Sequence, residues 1–220
     1  MAEFLDLGRL GYLEAWDTQK GIQADVQSGN RDDTLIFVEH PPVMTLGASF
    51  HEENLRLPRS EYAELGIDLI KTDRGGDVTF HGPQQLVIYP VFDLRRHGKD
   101  LHRWLRNLEE TFIQVCASFG LKGERSSVNT GVWIRERKVA AIGIKVSKWV
   151  SIHGIALNCN NDLCPFETIV PCGIQTHVVT SLSVEAGREI TIEDAKPEVA
   201  KAFQNVFGIT FQTFIPNEVP

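Results

Sequence analysis

The stretch GVWIRERKVAAIGIKV, Gly131–Val146, reads as two strands joined by a tight turn near Arg135–Arg137. WVSIHGIAL, Trp149–Leu157, follows as a third strand. Side chains alternate between the two faces of a strand. Counted from Lys138, one face carries Ala140, Ile142, Ile144 and Val146, and the other Val139, Ala141, Gly143 and Lys145. Lys138 therefore opens an apolar row, while Lys145 lies among small residues. A lysine beside an apolar row is disposed to desolvation, which favours the neutral amine and hence proton transfer. The same residue also fits a turn position whose stem lies on apolar surface and whose head stays in water.

Strands and helices alternate irregularly around this group. TLIFVE (Thr34–Glu39) is a short buried strand stopped by Pro41 and Pro42. Ile67–Lys71 and the run LVIYPVF (Leu86–Phe92) read as further strands. Residues 11–28 and Ser60–Leu65 read as helices. The clearest helix is Asp100–Phe119, with Leu101, Trp104, Leu105, Leu108, Phe112, Val115 and Phe119 on one stripe, Asp100 as N-cap and Gly120 past the end. Thr191–Phe207 is the last helix, with Thr191 and Asp194 in capping-box spacing. Because the helices fall between groups of strands, the pattern predicts an α/β chain of the α+β type, a mixed sheet flanked by helices. The expected organisation is one domain over residues 1–220.

Composition is that of an ordinary globular chain, 42% hydrophobic and 23% charged, and a net charge of −7 argues against nucleic acid as the main partner. No apolar run approaches the roughly 18 residues of a membrane span, and the start MAEFLDLGRL lacks the layout of a signal peptide. Four irregularly spaced cysteines suggest free thiols in a reducing compartment, with the cytoplasm as the expected location and no membrane partner. Cys159, Cys164 and Cys172 lack zinc-knuckle spacing, so no metal is expected.

Three stretches carry chemistry. In RGGDVTFHGPQQ (Arg74–Gln85), three glycines allow close approach of backbone to a ligand, though glycine and proline also mark plain turns. It has neither the ending of a phosphate loop nor a dinucleotide fingerprint. Lys138 is the second. Cys172, between Pro171 and Gly173, sits in irregular backbone and is the better nucleophile candidate, whereas Cys116 falls on a helix stripe as a packing residue. Either His81 or His153 could serve Cys172 as a base, and either could be structural.

Taken together, RGGDVTFHGPQQLVIYPVFDL (74–94), GVWI and RKVAAIGIKV (131–134, 137–146), SIHGIALNCNNDL (151–163), PCGI (171–174) and VTSL (179–182) strongly resemble the lipoyl(octanoyl) transferases of lipoate biosynthesis. The resemblance implies the catalytic fold of lipoate and biotin protein ligases and an octanoyl-[acyl-carrier-protein]:protein N-octanoyltransferase. It implies octanoyl-acyl carrier protein as donor, and as acceptors the lipoyl domains of 2-oxoacid dehydrogenase E2 subunits and the glycine-cleavage H protein. No cofactor is implied. Cys172 matches the cysteine that carries the acyl thioester, and Lys138 the lysine that lowers its pKa. Arg74, Gly75, Gly76, Asp77, Val78, Thr79, Phe80 and His81 match the loop lining the acyl pocket, as do Ala141, Ile142, Gly143, Gly154, Ile155 and Ala156. The chain departs from the usual HGPGQ at Gln84. Gly173 and the amides around Gly75 and Gly76 are candidate oxyanion donors. The basic cluster Arg95, Arg96, His97, Lys99, His102, Arg103 and Arg106 is either a solvated helix face or a dock for an acidic carrier protein. The rival readings are an ATP-dependent lipoate or biotin ligase, an amidotransferase between lipoyl domains, and a non-catalytic acyl-binding module.

Overall fold

In the computed structural model, residues 1–127, 129–170 and 179–212 are described. The run Gln85–Val91 (β6) shows how the fold is built, because it is buried along its whole length. Leu86 and Ile88 enter one core with Trp104, Leu108, Phe112 and Val115 of α3 (Leu101–Ser118) and Val199 and Phe203 of α5 (Ile192–Phe207). Val87, Tyr89 and Val91 enter a second core against Ala15, Ile22 and Val26 of α1 (Tyr12–Ser28). A strand covered on both faces reads as a continuous apolar run, as this one does.

The remaining strands of this sheet are β1 (Ala2–Arg9), β2 (Asp33–Glu39), β7 (Gly131–Ile134), β8 (Arg137–Ser147), β9 (Val150–Asn158) and β10 (Phe211–Gln212). Their order is β10-β1-β2-β6-β9-β8-β7. β1 runs parallel to both neighbours, and every pair from β2 to β7 is antiparallel. The sheet is mixed and flanked by helices, the fold class expected from the sequence. A second sheet of three strands has β3 (Val43–Leu46) between β4 (Asp68–Lys71) and β5 (Val78–His81). It packs its own core with Tyr62 of α2 (Arg59–Glu64) and with Phe166.

Three sequence expectations change. The glycine-rich stretch 74–83 is not loop throughout, because Val78–His81 pairs with Val43–Leu46. Lys138 does not begin the row of Ala140: β7 pairs Val132 with Ala140 but Trp133 with Lys138, so Val139 is an extra, bulged residue. Four of the seven residues of the basic cluster are paired with carboxylates within the fold. Arg95 pairs with Asp93, Arg96 and His97 with Asp33, and Arg106 with Glu109, all three carboxylates being buried. Such pairing ties the chain between β6 and α3 to the sheet and weakens the case for a docking patch. The helix ends follow the sequence: Asp100 accepts from the amides of His102 and Arg103, and Thr191 with Asp194 forms a reciprocal capping box.

Two glycines forecast opposite outcomes. A Cβ at Gly21, inside α1, meets nothing within 4 Å, so Gly21→Ala should stabilise by about 0.5–1 kcal/mol. A Cβ at Gly47 would lie 2.2 Å from the Gly76 carbonyl oxygen and 2.9 Å from the Arg74 guanidinium. Gly47→Ala should therefore lower the thermal midpoint, and parallel melting curves of the two variants check both signs.

Candidate active site

Between the two sheets lies a cavity of about 500 Å³, within the roughly 300–1,000 Å³ of small-molecule sites. One wall comes from β8 and β9: Ala141 and Gly143 face it with Gly154 and Ala156, while Ile142 and Ile155 also line it but pack their side chains into the core with α3 and α5. These positions pair across the ladder, Ala141 with Ala156 and Gly143 with Gly154. The opposite wall is Arg74, Gly75, Gly76, Asp77, Thr79 and His81. Val78 and Phe80, on the alternate face of β5, turn into the core of the small sheet instead. The walls approach closely enough to require glycine at 143, where a Cβ would lie 2.8 Å from the Gly75 carbonyl oxygen.

Lys138 lines this cavity as a consequence of the bulge at Val139, which takes it off the core row. Its Nζ donates to the Thr130 carbonyl at 3.2 Å and stands 4.9 Å from the centre of the Trp133 ring. Gly131 leaves the space the lysine stem occupies, since a Cβ there would be 3.1 Å from Lys138 Cε.

Arg74 is buried and holds the facing loop together. It donates to Thr45 Oγ1 at 2.9 Å and to the carbonyls of Thr45, Asp77 and Gly75. A directed chain of hydrogen bonds continues from it. The Thr45 hydroxyl reaches His81 Nε2 at 3.2 Å, and His81 Nδ1 donates to Gln85 Oε1 at 2.8 Å. Gln85 Nε2 donates to Asn158 Oδ1 at 2.8 Å, and Asn158 Nδ2 to the Thr180 carbonyl at 2.9 Å. The Thr180 amide then donates to the Lys138 carbonyl at 2.9 Å. The Gly75 amide donates to the Ile144 carbonyl, so it is already committed and not an oxyanion donor.

The end of the cavity around Tyr12, Tyr89 and His153 is polar and aromatic. Tyr12 OH lies 3.4 Å from His153 Nδ1, His153 Nε2 lies 2.7 Å from Asp73, and Tyr89 OH lies 2.8 Å from His40 Nε2. Burial above all pushes His81 down to about 3 and His40 to about 4, and lowers His153. Each of these rings is therefore neutral near neutral pH, with its tautomer set by its partners. His153 takes a left-handed backbone, φ 58°, unusual for a non-glycine residue. Gln84, the departure noted in the sequence, also takes a left-handed φ of 61°, and its amide donates to Glu39.

Cys172, together with Gly173, lies outside the described residues. Of the described cysteines, Cys116 and Cys159 are buried, and burial drives both up to about 12. Cys164 is exposed, and none of the three lines the cavity. Among the described residues no group of three His, Cys, Asp or Glu side chains could hold a metal ion, and no helix is long and apolar enough to cross a membrane.

The family profile described as "Lipoyl protein ligase A/B catalytic domain" matches residues 11–204. An octanoyltransferase of Geobacter metallireducens is 46% identical over 198 residues, 90% of this chain and 90% of the relative. One of Chloroflexus aggregans is 46% identical over 92% of this chain and 93% of its own length. The chain belongs to the lipoyl protein ligase A/B family, among its octanoyltransferases. The fold agrees. A putative lipoate protein ligase from T. acidophilum with bound lipoic acid superposes with a TM-score of 0.75 at 16% identity, covering 99% of this chain and 90% of that one. Biotin protein ligase from Aquifex aeolicus gives 0.53 at 12% identity, covering 94% and 70%.

Sequence reading of this family member missed Tyr12, Asn54, Tyr89 and Asn129 as cavity residues. Tyr12 looks like any stripe residue of an amphipathic helix, and Tyr89 like a core aromatic. Asn54 ends a three-residue 3-10 turn and Asn129 lies in an irregular segment, and neither carries a periodic signal.

The neutral histidines tie stability to acid. Their ordinary value is 6.5, so between about pH 6.5 and pH 4 the unfolded chain binds protons that buried His40 and His81 refuse. Stability should be fully present above pH 6.5 and fall as the pH drops through this window. Melting temperatures across it should decline steeply in the native chain, and less steeply in His40→Gln.

Proposed function

We propose that the chain moves an octanoyl group from acyl carrier protein to a lysine of lipoyl domains, including those of 2-oxoacid dehydrogenases and the glycine-cleavage H protein, through a thioester on Cys172. The whole of residues 1–220 acts as one catalytic domain. The observation that carries the reading is the placement of Lys138 on an aliphatic-walled cavity, next to the chain that leads from Cys172. Val179 bridges to Lys138, and the Val170 amide donates to the carbonyl of cavity-lining Asn54 at 2.8 Å. The 42–46% identity to octanoyltransferases over about nine-tenths of the chain supports this reaction over the ATP-dependent one, since the superposed ligases share only 16%.

The chemistry follows from the residue types. The Cys172 thiolate attacks the donor thioester carbonyl, an enzyme thioester forms, and the pantetheine thiolate leaves and takes up a proton. The acceptor lysine amine then attacks, loses a proton, and releases the Cys172 thiolate as the amide forms. The Lys138 ammonium favours the thiolate electrostatically, gives the proton to the leaving thiol and takes one from the incoming amine. Small and aliphatic side chains from Ala141 to Ala156 hold the alkyl chain.

Intact-protein mass spectrometry with octanoyl-acyl carrier protein and no acceptor tests this. A single octanoyl adduct released by hydroxylamine is expected, absent in Cys172→Ser and at least a hundredfold slower to form in Lys138→Ala. An active enzyme that forms no adduct, or that requires ATP, would overturn the reading.

A further inference from the structure

The strand register sorts the cavity walls by distance from Lys138. Ala141 pairs with Ala156, which pairs with Val87, and this small, aliphatic rung lies three positions along β8 from Lys138. Gly143 and Gly154 form the rung two positions further, with Tyr89 next on β6. At about 3.3 Å per residue, less one residue for the bulge, the two rungs lie about 7 and 13 Å along the strand from Lys138, so an extended eight-carbon chain, about 9 Å from carbonyl carbon to methyl, passes the first rung and ends just short of the second. The exposed side chains of the lining, His51 and Glu53, mark the mouth, whereas Tyr12, Tyr89 and His153 are almost wholly buried.

At the second rung the character of the wall changes. Tyr12 stacks against His81 with ring centres 5.9 Å apart, and its hydroxyl reaches His153, which Asp73 holds from the other side. Tyr89 is fixed by His40, whose Nδ1 donates to the Leu10 carbonyl. Neither ring can swing aside without breaking buried hydrogen bonds, which a hydrocarbon cannot replace.

We propose that Tyr12 and Tyr89, locked by His153 and His40, form the end wall that sets acyl chain length, with Tyr12 the residue that stops the terminal methyl. The proposal rests on the acyl-transfer reading and adds a specificity determinant to it. A longer chain must displace a ring held on both sides; a shorter one leaves apolar space unfilled.

The test compares hexanoyl, octanoyl, decanoyl and dodecanoyl donors on acyl carrier protein, with a lipoyl domain as acceptor. Tyr12→Leu should raise the decanoyl-to-octanoyl ratio of kcat/KM on the order of tenfold. Tyr12→Phe, which keeps the ring, should move it in the same direction by less. Ala156→Val, narrowing the first rung, should shift preference toward hexanoyl. Calorimetric binding of free octanoate and decanoate to the same proteins reads the ratio without turnover. An inactive native enzyme would thus sink the transferase reading while the binding ratio still decides the end wall. Unchanged ratios in Tyr12→Phe and in whichever of Tyr12→Leu and Ala156→Val retains a native melting transition would overturn it.

Discussion

A buried guanidinium organises this protein. Arg74 donates to three carbonyls and to Thr45, and those bonds close the loop from Arg74 to Asp77 over Gly47 and Gly143. An unpaired charge at this depth would cost several kcal/mol, so the backbone has to wrap it. The same bonds start the chain that passes through Thr45, His81, Gln85 and Asn158 to Thr180 and the backbone of Lys138. Every link has one donor and one acceptor, so the chain has a single polarity and leaves its buried groups satisfied. Loop, small sheet and the strand that carries Lys138 are thereby held in one geometry.

This arrangement also explains why the histidines stay neutral. His81 between a hydroxyl donor and an amide acceptor has no partner for a second proton, and burial opposes the charge. His81 therefore stays neutral and hydrogen-bonded at both ring nitrogens, which fixes its position in the chain. His153, donating to Asp73 and accepting from Tyr12, does the same at the far end of the cavity. Lys138 is held separately, by Thr130 and Trp133 at the edge of the sheet.

Much of this was legible in the sequence because local chemistry dictates it. Asp100 and Thr191 cap their helices as their types require, and the apolar run of β6 follows from burial on both faces. The glycines at 75 and 76 marked a loop whose backbone can approach a ligand, and both line the cavity. What stayed hidden depends on partners distant in sequence. Strict alternation put Lys138 on the core row, and only the register of Trp133 against it shows that Val139 bulges. The pairing of the basic cluster with Asp33, Asp93 and Glu109 cannot be read without the fold. β5 was concealed because its Val-Thr-Phe-His lies between glycines that read as turn.

The central claim is that the acyl chain lies between the two sheets, its reacting carbonyl at Lys138 and its methyl toward Tyr12. A crystal structure with a non-hydrolysable octanoyl thioester analogue tests it most directly. The account predicts density for the alkyl chain over Ala141, Ala156, Gly143 and Gly154, with the carbonyl carbon on the Lys138 side. A chain in the reverse direction, its carbonyl against His153 and Asp73, or one bound outside the cavity, would contradict it.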